Sequence, residues 1–78
     1  MDARPIDVLN QAKNKRVLVT LKNGRRISGI LKALDVPHLN LWLDDAEVTH
    51  KTEDGSDVAT KFGNLFIRGD SVVFVSPE

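Results

Sequence analysis

Residues 16–22 alternate in character and are followed at once by Asn23-Gly24, and this combination restricts the fold more than any other part of the sequence. Valine or leucine stands at every odd-numbered position of the run, which gives the period of two that is typical of a β-strand. Asn-Gly supplies the positive φ angles that a two-residue hairpin turn requires. The sequence therefore predicts an antiparallel hairpin whose second strand begins at Arg25.

The second predicted strand, residues 25–35, is long and contains Gly29. A glycine inside a strand marks a bend, a bulge or a close approach of another backbone segment. Long and strongly bent strands are what a small barrel requires. We therefore predict that the sheet curves in this strand.

A helix and three further strands complete the predicted fold. The helix begins at Pro5, which suits a first helical position, carries an apolar face of Val8, Leu9 and Ala12, and ends near Asn14. We predict one domain over residues 1–78, all-β with a short N-terminal helix, forming a five-stranded, strongly bent antiparallel small barrel. The remaining strands are expected at residues 39–48, 58–67 and 71–75, with an exposed loop over residues 50–57.

The last predicted strand contains Val72-Val73-Phe74-Val75 and is apolar on both faces. Such a strand at the edge of a small sheet favours pairing with another chain. A chain of 78 residues also buries too little surface to be more than marginally stable alone. Both observations predict assembly with other chains.

Composition restricts the expected cellular location and the class of protein. The sequence has no cysteine, so disulfides are excluded and a reducing, cytoplasmic location is expected. No apolar run approaches the roughly 20 residues of a membrane span. Eleven basic residues balance eleven acidic ones, so binding of nucleic acid would depend on local geometry rather than on net charge.

A polar site is predicted where the third strand begins. Leu39, Leu41 and Leu43 alternate with His38, Asn40 and Trp42, so a period of two directs the leucines to the core and the other three side chains to the opposite face. Trp42 is either an exposed platform for a base or a packing contact with a neighbour.

Other chemistries are less well supported. Asp44, Asp45 and Glu47 resemble metal ligands, but the end of a solvated strand is the simpler interpretation. We expect neither an enzyme nor a cofactor, because the sequence has no cysteine nucleophile, no glycine-rich phosphate loop ahead of a helix and no histidine-rich metal spacing.

Two motifs resemble those of the Sm and Sm-like (Lsm) proteins, particularly the archaeal ones. The first consists of Leu21-Lys22-Asn23-Gly24, Gly29, and the stretch from Asp35 through His38-Leu39-Asn40-Leu41 to Glu47. The second is Gly63-Asn64-Leu65-Phe66-Ile67-Arg68-Gly69-Asp70, followed by Ser71-Val72-Val73. The resemblance covers nearly the whole chain and implies the Sm fold. It also implies a homo-oligomeric ring, usually of seven subunits, in which the fourth strand of one subunit pairs with the fifth of its neighbour.

The same resemblance implies a site for uridine on the pore side of the ring, formed by His38, Asn40 and Arg68. The histidine ring and the guanidinium group can sandwich a base, and the asparagine amide can contact its Watson–Crick edge. Gly69 would let the backbone come close, and Asp70 would hold the turn or orient a neighbouring side chain. The expected function is binding of single-stranded, uridine-rich RNA as a chaperone or scaffold in RNA processing.

One departure from the family pattern bears on this site. The aspartate and asparagine of the first motif enclose three residues in the family, whereas Asp35 and Asn40 enclose four, with Pro37 as the extra residue. Proline is stiff and donates no backbone hydrogen bond, so a bulged loop is expected here. The alternative function is therefore a ring that serves as a scaffold for proteins, with the uridine pocket weakened or lost.

Overall fold

A computed structural model describes residues 5–35 and 38–78, and it contains one α-helix followed by a five-stranded sheet. All neighbouring strands are antiparallel, in the order β4-β3-β2-β1-β5. The predicted fold class is confirmed. The elements are α1 Pro5–Gln11, β1 Arg16–Leu21, β2 Arg26–Leu34, β3 Leu41–Lys51, β4 Asp57–Ile67, a 3₁₀ turn Gly69–Ser71, and β5 Val72–Pro77.

The sheet bends where Gly29 of β2 crosses the middle of β3. The register between these strands shifts between Ser28 and Ile30, and Asp45 on β3 has a φ of 49°. A Cβ atom on Gly29 would lie 3.1 Å from the carbonyl oxygen of Asp44 and 3.3 Å from Cα of Ala46. The glycine therefore permits a close approach of the two backbones, as its position in the strand predicts.

Arg16, the first residue of β1, forms hydrogen bonds with the bent segment of β3. Its guanidinium group donates to the carboxylate of Asp45 at 2.9 Å and to the carbonyl oxygen of Asp45 at 3.1 Å. The hydrogen bond to Asp45 raises the pKa of Arg16 above its ordinary value. Because both side chains are partly exposed, this pair contributes to the shape of the bulge more than to the free energy of unfolding.

The core is small and lies on the concave side of the bent sheet. Ala12, just after α1, packs against the buried residues of the strands, so the helix end covers one side of the core. Among the described residues no polar or charged side chain is buried. The buried hydrophobic residues of the strands are Val17, Val19, Ile27, Leu31, Leu41, Leu43, Ala46 and Ile67.

The helix is shorter than predicted. It ends at Gln11 rather than near Asn14, since Asn14 has a φ of 66° and its backbone N–H donates to the carbonyl oxygen of Leu31. Leu9 of the predicted apolar face is half-buried, whereas the side chain of Val8 lies outside the described part of the structure. The chain therefore leaves the helix early and enters β1 through a left-handed residue.

The predicted hairpin turn and the predicted exposed loop are both present but differ in length from the prediction. The first hairpin has a three-residue loop, Lys22 to Gly24, in which Leu21 N–H donates to Arg25 and only the glycine has a positive φ, of 86°. This is the three-residue hairpin in which a left-handed glycine follows a type I turn. The expected exposed loop over residues 50–57 shrinks to Thr52–Ser56, because β3 and β4 extend to Lys51 and from Asp57.

The strands β4 and β5 are the two edges of the sheet, and neither edge is paired within the described residues. Val73 on β5 is 56% exposed, and β4 is exposed along almost its whole length. These are the two strands that, by the resemblance to Sm-like proteins, are expected to pair between subunits. Within residues 5–35 and 38–78, no helix has the length and apolar character needed to cross a bilayer.

Candidate nucleic-acid interface

The loop between β2 and β3 is closed by Asp35 and Asn40. The carboxylate of Asp35 accepts a hydrogen bond from the backbone N–H of Asn40 at 3.0 Å and another from its side-chain amide at 3.1 Å. The backbone N–H of Asp35 donates to the carbonyl oxygen of Asn40 at 3.1 Å. Asp35 therefore holds Asn40 by both its backbone and its side chain, although four residues separate them. Val36 and Pro37 lie outside the described residues, so the expected irregularity at Pro37 stays a prediction.

The amide of Asn40 also joins this loop to the turn after β4. Its Oδ1 accepts a hydrogen bond from the backbone N–H of Gly69 at 2.9 Å. The side-chain N–H of Asn40 that donates to Asp35 and the Oδ1 atom that accepts from Gly69 together fix the orientation of the amide. One N–H and one lone pair of the amide remain for a ligand. The site therefore presents a donor and an acceptor in a fixed orientation.

Gly69 lies directly against the backbone of the first loop. A Cβ atom there would overlap the carbonyl oxygen of His38 and would lie 2.9 Å from that of Leu39. Only glycine fits this approach, because any side chain would collide with the first loop. The expected role of Gly69 toward a ligand stays a prediction. The contact places His38 beside the turn that carries Arg68.

Arg68 and Asp70 flank this glycine. The Nη2 atom of Arg68 donates to Oδ2 of Asp70 at 2.9 Å, and the guanidinium-bearing side chain is 84% exposed. Ser71 closes the turn, since its backbone N–H and its hydroxyl both donate to the carbonyl oxygen of Arg68. Asp70 is thus hydrogen-bonded to the side chain of Arg68, and its expected role in the site stays a prediction.

All five predicted site residues line one open depression of about 410 Å³. They come from two loops that are about 30 residues apart in the sequence and are connected here by the Asn40–Gly69 hydrogen bond. The depression combines an imidazole, a planar cation and an amide with free hydrogen-bonding capacity, which suits a flat polar heterocycle such as a nucleobase. The residues in question are His38, Asn40, Arg68, Gly69 and Asp70.

The predicted alternation at the start of β3 is wrong at one position. Leu41 and Leu43 are buried, but Leu39 is 40% exposed, has a φ of 56° and precedes the strand. The left-handed conformation lets the loop turn back so that Leu39 N–H donates to the carbonyl oxygen of Asp35. The alternation of buried and exposed side chains therefore begins only after Leu39.

Two residues of the region were missed by the sequence reasoning, Asn64 and Phe66 on β4. Phe66 stacks on Trp42, with ring centroids 5.8 Å apart and planes inclined by 16°. Asn64 accepts a hydrogen bond from Nε1 of Trp42 at 3.0 Å. Trp42 therefore packs within its own chain, and the register of β4 against β3 would have been needed to recognise its partners.

The fold and the loop geometry together define a class of small, bent, antiparallel barrels with a polar depression at the meeting of two loops. A family model described as the LSM domain matches residues 7–77, and the chain belongs to this family. The resemblance to Sm-like proteins is thus confirmed.

Relatives of known sequence or structure agree with this assignment. An snRNP Sm-like protein of Methanococcoides burtonii is 48% identical over 77 residues, which cover 99% of this chain and 100% of the relative. The structure of the Pyrococcus abyssi Sm protein in complex with a uridine heptamer has a TM-score of 0.82 and 42% identity, covering 97% of this chain and 100% of that one. A heptamer of the P. aerophilum protein SmAP1 gives a TM-score of 0.84 and 37% identity, with coverages of 100% and 97%.

Proposed function

We propose that the protein is a non-catalytic RNA-binding protein that forms a homo-oligomeric ring, of seven subunits, and binds single-stranded, uridine-rich RNA. It acts as a chaperone or scaffold in RNA processing and needs no cofactor. The observation that carries the proposal is the single depression in which Asn40, fixed by Asp35 and Gly69, lies with His38 and Arg68. A cytoplasmic location is part of the proposal and rests on the absence of cysteine.

The ring is supported by the two open edges of the sheet. Strands β4 and β5 both have unpaired backbone groups, and an edge of this length is stabilised when a neighbouring chain adds a strand. Because the edges differ, each subunit offers a different surface to each neighbour, and such contacts close into a ring when the rotation per subunit allows it. The structurally similar P. aerophilum protein is a heptamer.

Uridine binding is supported by the chemistry of the depression. Uracil presents an acceptor and an N–H donor on its Watson–Crick edge, and the free N–H and lone pair of Asn40 complement both. His38 and Arg68 supply flat surfaces that stack on a base of any identity. The P. abyssi relative was solved in complex with a uridine heptamer.

The ion pair of Arg68 with Asp70 favours the second candidate, a ring that serves as a scaffold for proteins and whose uridine pocket is weakened or lost. This pair is exposed and therefore easily broken, and a base would replace the interaction with stacking. The first candidate is consequently preferred.

The mass of the native assembly, measured with and without a seven-uridine oligomer, tests the proposal. We expect a heptameric mass and a mass increase with the uridine oligomer that is much weaker with a seven-adenosine oligomer. Asn40→Ala should keep the heptameric mass and reduce the preference for uridine. A heptamer that binds neither oligomer but copurifies with proteins from a lysate would favour the scaffold, whereas a monomer would contradict both candidates.

A further inference from the structure

An exposed aromatic pair lies beside the candidate site, on the outer face of β3 and β4. Trp42 and Phe66 are direct cross-strand partners, and their rings stack nearly parallel. Phe66 is nevertheless 75% exposed and Trp42 37% exposed. The two rings together form a contiguous exposed apolar patch, and such patches mark binding or contact surfaces.

The pair is held in place rather than loosely packed. Asn64 accepts the indole N–H of Trp42, which fixes the ring plane, and the strand register fixes Phe66 against it. A preformed aromatic surface loses little conformational entropy when a second flat group stacks on it. The geometry is thus suited to a planar ligand.

The aromatic pair and the candidate site are continuous. A second open depression, of about 460 Å³, runs past Trp42 and Phe66 and shares Asn40 and Arg68 with the first. Asn40 and Trp42 are two residues apart, which is about 7 Å at strand spacing. An extended oligonucleotide can therefore place neighbouring bases in the two depressions, with the exposed cation of Arg68 at their common border.

We infer that Trp42 and Phe66 form a second stacking site in each subunit, for the base next to the one held by His38, Asn40 and Arg68. The inference rests on the proposed function and extends it from one base to two. The walls of this second depression are mostly apolar, with Ala33 and Leu34 beside the aromatic pair, so it does not select a base by hydrogen bonds. It accepts purines and pyrimidines, because every base has a face that stacks.

Intrinsic fluorescence provides a direct readout, since Trp42 is the only tryptophan of the chain. Titration of the assembled protein with a seven-uridine oligomer should change the emission of Trp42 in parallel with binding measured by an independent method. Binding without any change in emission would overturn the stacking site while leaving the proposed function intact.

Phe66→Leu separates base stacking from packing between subunits, because leucine keeps an apolar surface and removes the aromatic face. We expect an unchanged native mass and an affinity at least about five-fold lower for both uridine and adenosine oligomers, with the ratio of the two affinities unchanged. This follows because base stacking of about 1–3 kcal/mol corresponds to a factor of about 5–150 in affinity. The matched control is Phe62→Leu on the same strand, whose partner is Ala46, and which should leave affinity unaltered.

Two outcomes for Phe66→Leu would overturn the inference. Loss of the ring would show that this face is a contact between subunits. Equal loss of affinity in the Phe66→Leu and Phe62→Leu proteins would show a general effect of strand β4. If the wild-type protein binds neither oligomer, the proposed function fails as well, and Asn40→Ala then has no effect on binding either.

Discussion

At the scale of single residues, the geometry of the candidate site depends on two residues that fix the positions of others. Asp35 uses both carboxylate oxygens to hold Asn40, and Gly69 brings two loops into backbone contact. Neither role can be replaced by a residue of different size or charge. Changes at these positions should therefore act on RNA binding through Asn40 and His38.

Asp35→Ala should release the Asn40 amide and reduce selectivity for uridine. The substitution removes hydrogen bonds to the backbone N–H and to the side-chain amide of Asn40. Loss of the bond to the amide corresponds to about 1 kcal/mol, or about a five-fold change in the ratio of uridine to adenosine affinity. Binding of the two oligomers by fluorescence anisotropy measures this ratio. Glu53→Ala, in the exposed loop between β3 and β4, removes a carboxylate elsewhere and serves as control. An unaltered ratio in the Asp35→Ala protein would show that Asn40 needs no support from Asp35.

Gly69→Ala should force the two loops apart, because the added methyl group overlaps the carbonyl oxygen of His38. We expect destabilisation by about 1–3 kcal/mol together with a loss of uridine binding. Gly63→Ala is the matched control, since a Cβ atom at that position meets no atom within 4 Å. Denaturant unfolding of both variants at equal protein concentration measures the difference. Equal midpoints would contradict the close contact between the two loops.

At the scale of elements, the two hairpin turns are built alike. In each, a glycine with a φ of 86° ends a three-residue loop, and the residue before it, Asn23 or Asp54, accepts a hydrogen bond from the backbone N–H two positions on. The sequence predicts the first turn through Asn-Gly but with one residue too few. The second turn contains Asp-Gly, but the surrounding charged and hydroxyl residues are typical of an exposed loop, so this turn was not predicted.

The pKa of Asp54 offers a test of the second turn. The hydroxyl of Thr52 and the backbone N–H of Ser56 donate to its carboxylate and lower the pKa below the ordinary value. Stability from this group is present above the ordinary pKa of about 3.9 and is lost as the pH falls through the lower pKa of the folded state. Thr52→Val should raise the pKa of Asp54, as measured by NMR titration of the carboxyl carbon. A titration curve of Asp54 that is the same in both proteins would exclude the role of the Thr52 hydroxyl.

The limits of prediction from this sequence have physical causes. Local periodicity was enough to predict the five strands. Motif resemblance was enough to select the site residues that the structure brings together. The left-handed conformation of Leu39 was not predictable, because leucine rarely adopts it and tertiary contacts enforce it. Likewise, the partners of Asp35 and Trp42 follow from contacts across loops and strands, and these are set by the register of the sheet.

At the scale of the whole molecule, a single chain leaves both edges of its described sheet unpaired. Its described core is small, its longest dimension is 44 Å, and apolar side chains of β4 and β5 remain exposed, among them Val58 and Val73. Folding and assembly should therefore be coupled, so that apparent stability rises with protein concentration.

Val73→Lys should disperse the ring, because a charged group on the β5 edge would have to be buried against the β4 strand of a neighbour. Sedimentation velocity should show monomers or small oligomers where the wild-type protein sediments as a ring. Glu53→Lys introduces the same side chain in the exposed loop between β3 and β4 and should leave the assembly intact. A Val73→Lys protein that still sediments as a full ring would contradict the placement of β5 at the subunit interface.

The two unlike edges of the sheet also determine how a defective copy behaves in a mixed population. A subunit altered only on its β5 edge keeps an intact β4 edge, so it can still join a growing arc and then block further addition at its own end. Such a copy is incorporated and then stops the addition of further subunits at its β5 edge. In the proposed ring of seven, one altered subunit would thus suffice to prevent closure, and a minority of altered copies would be dominant over the wild-type protein.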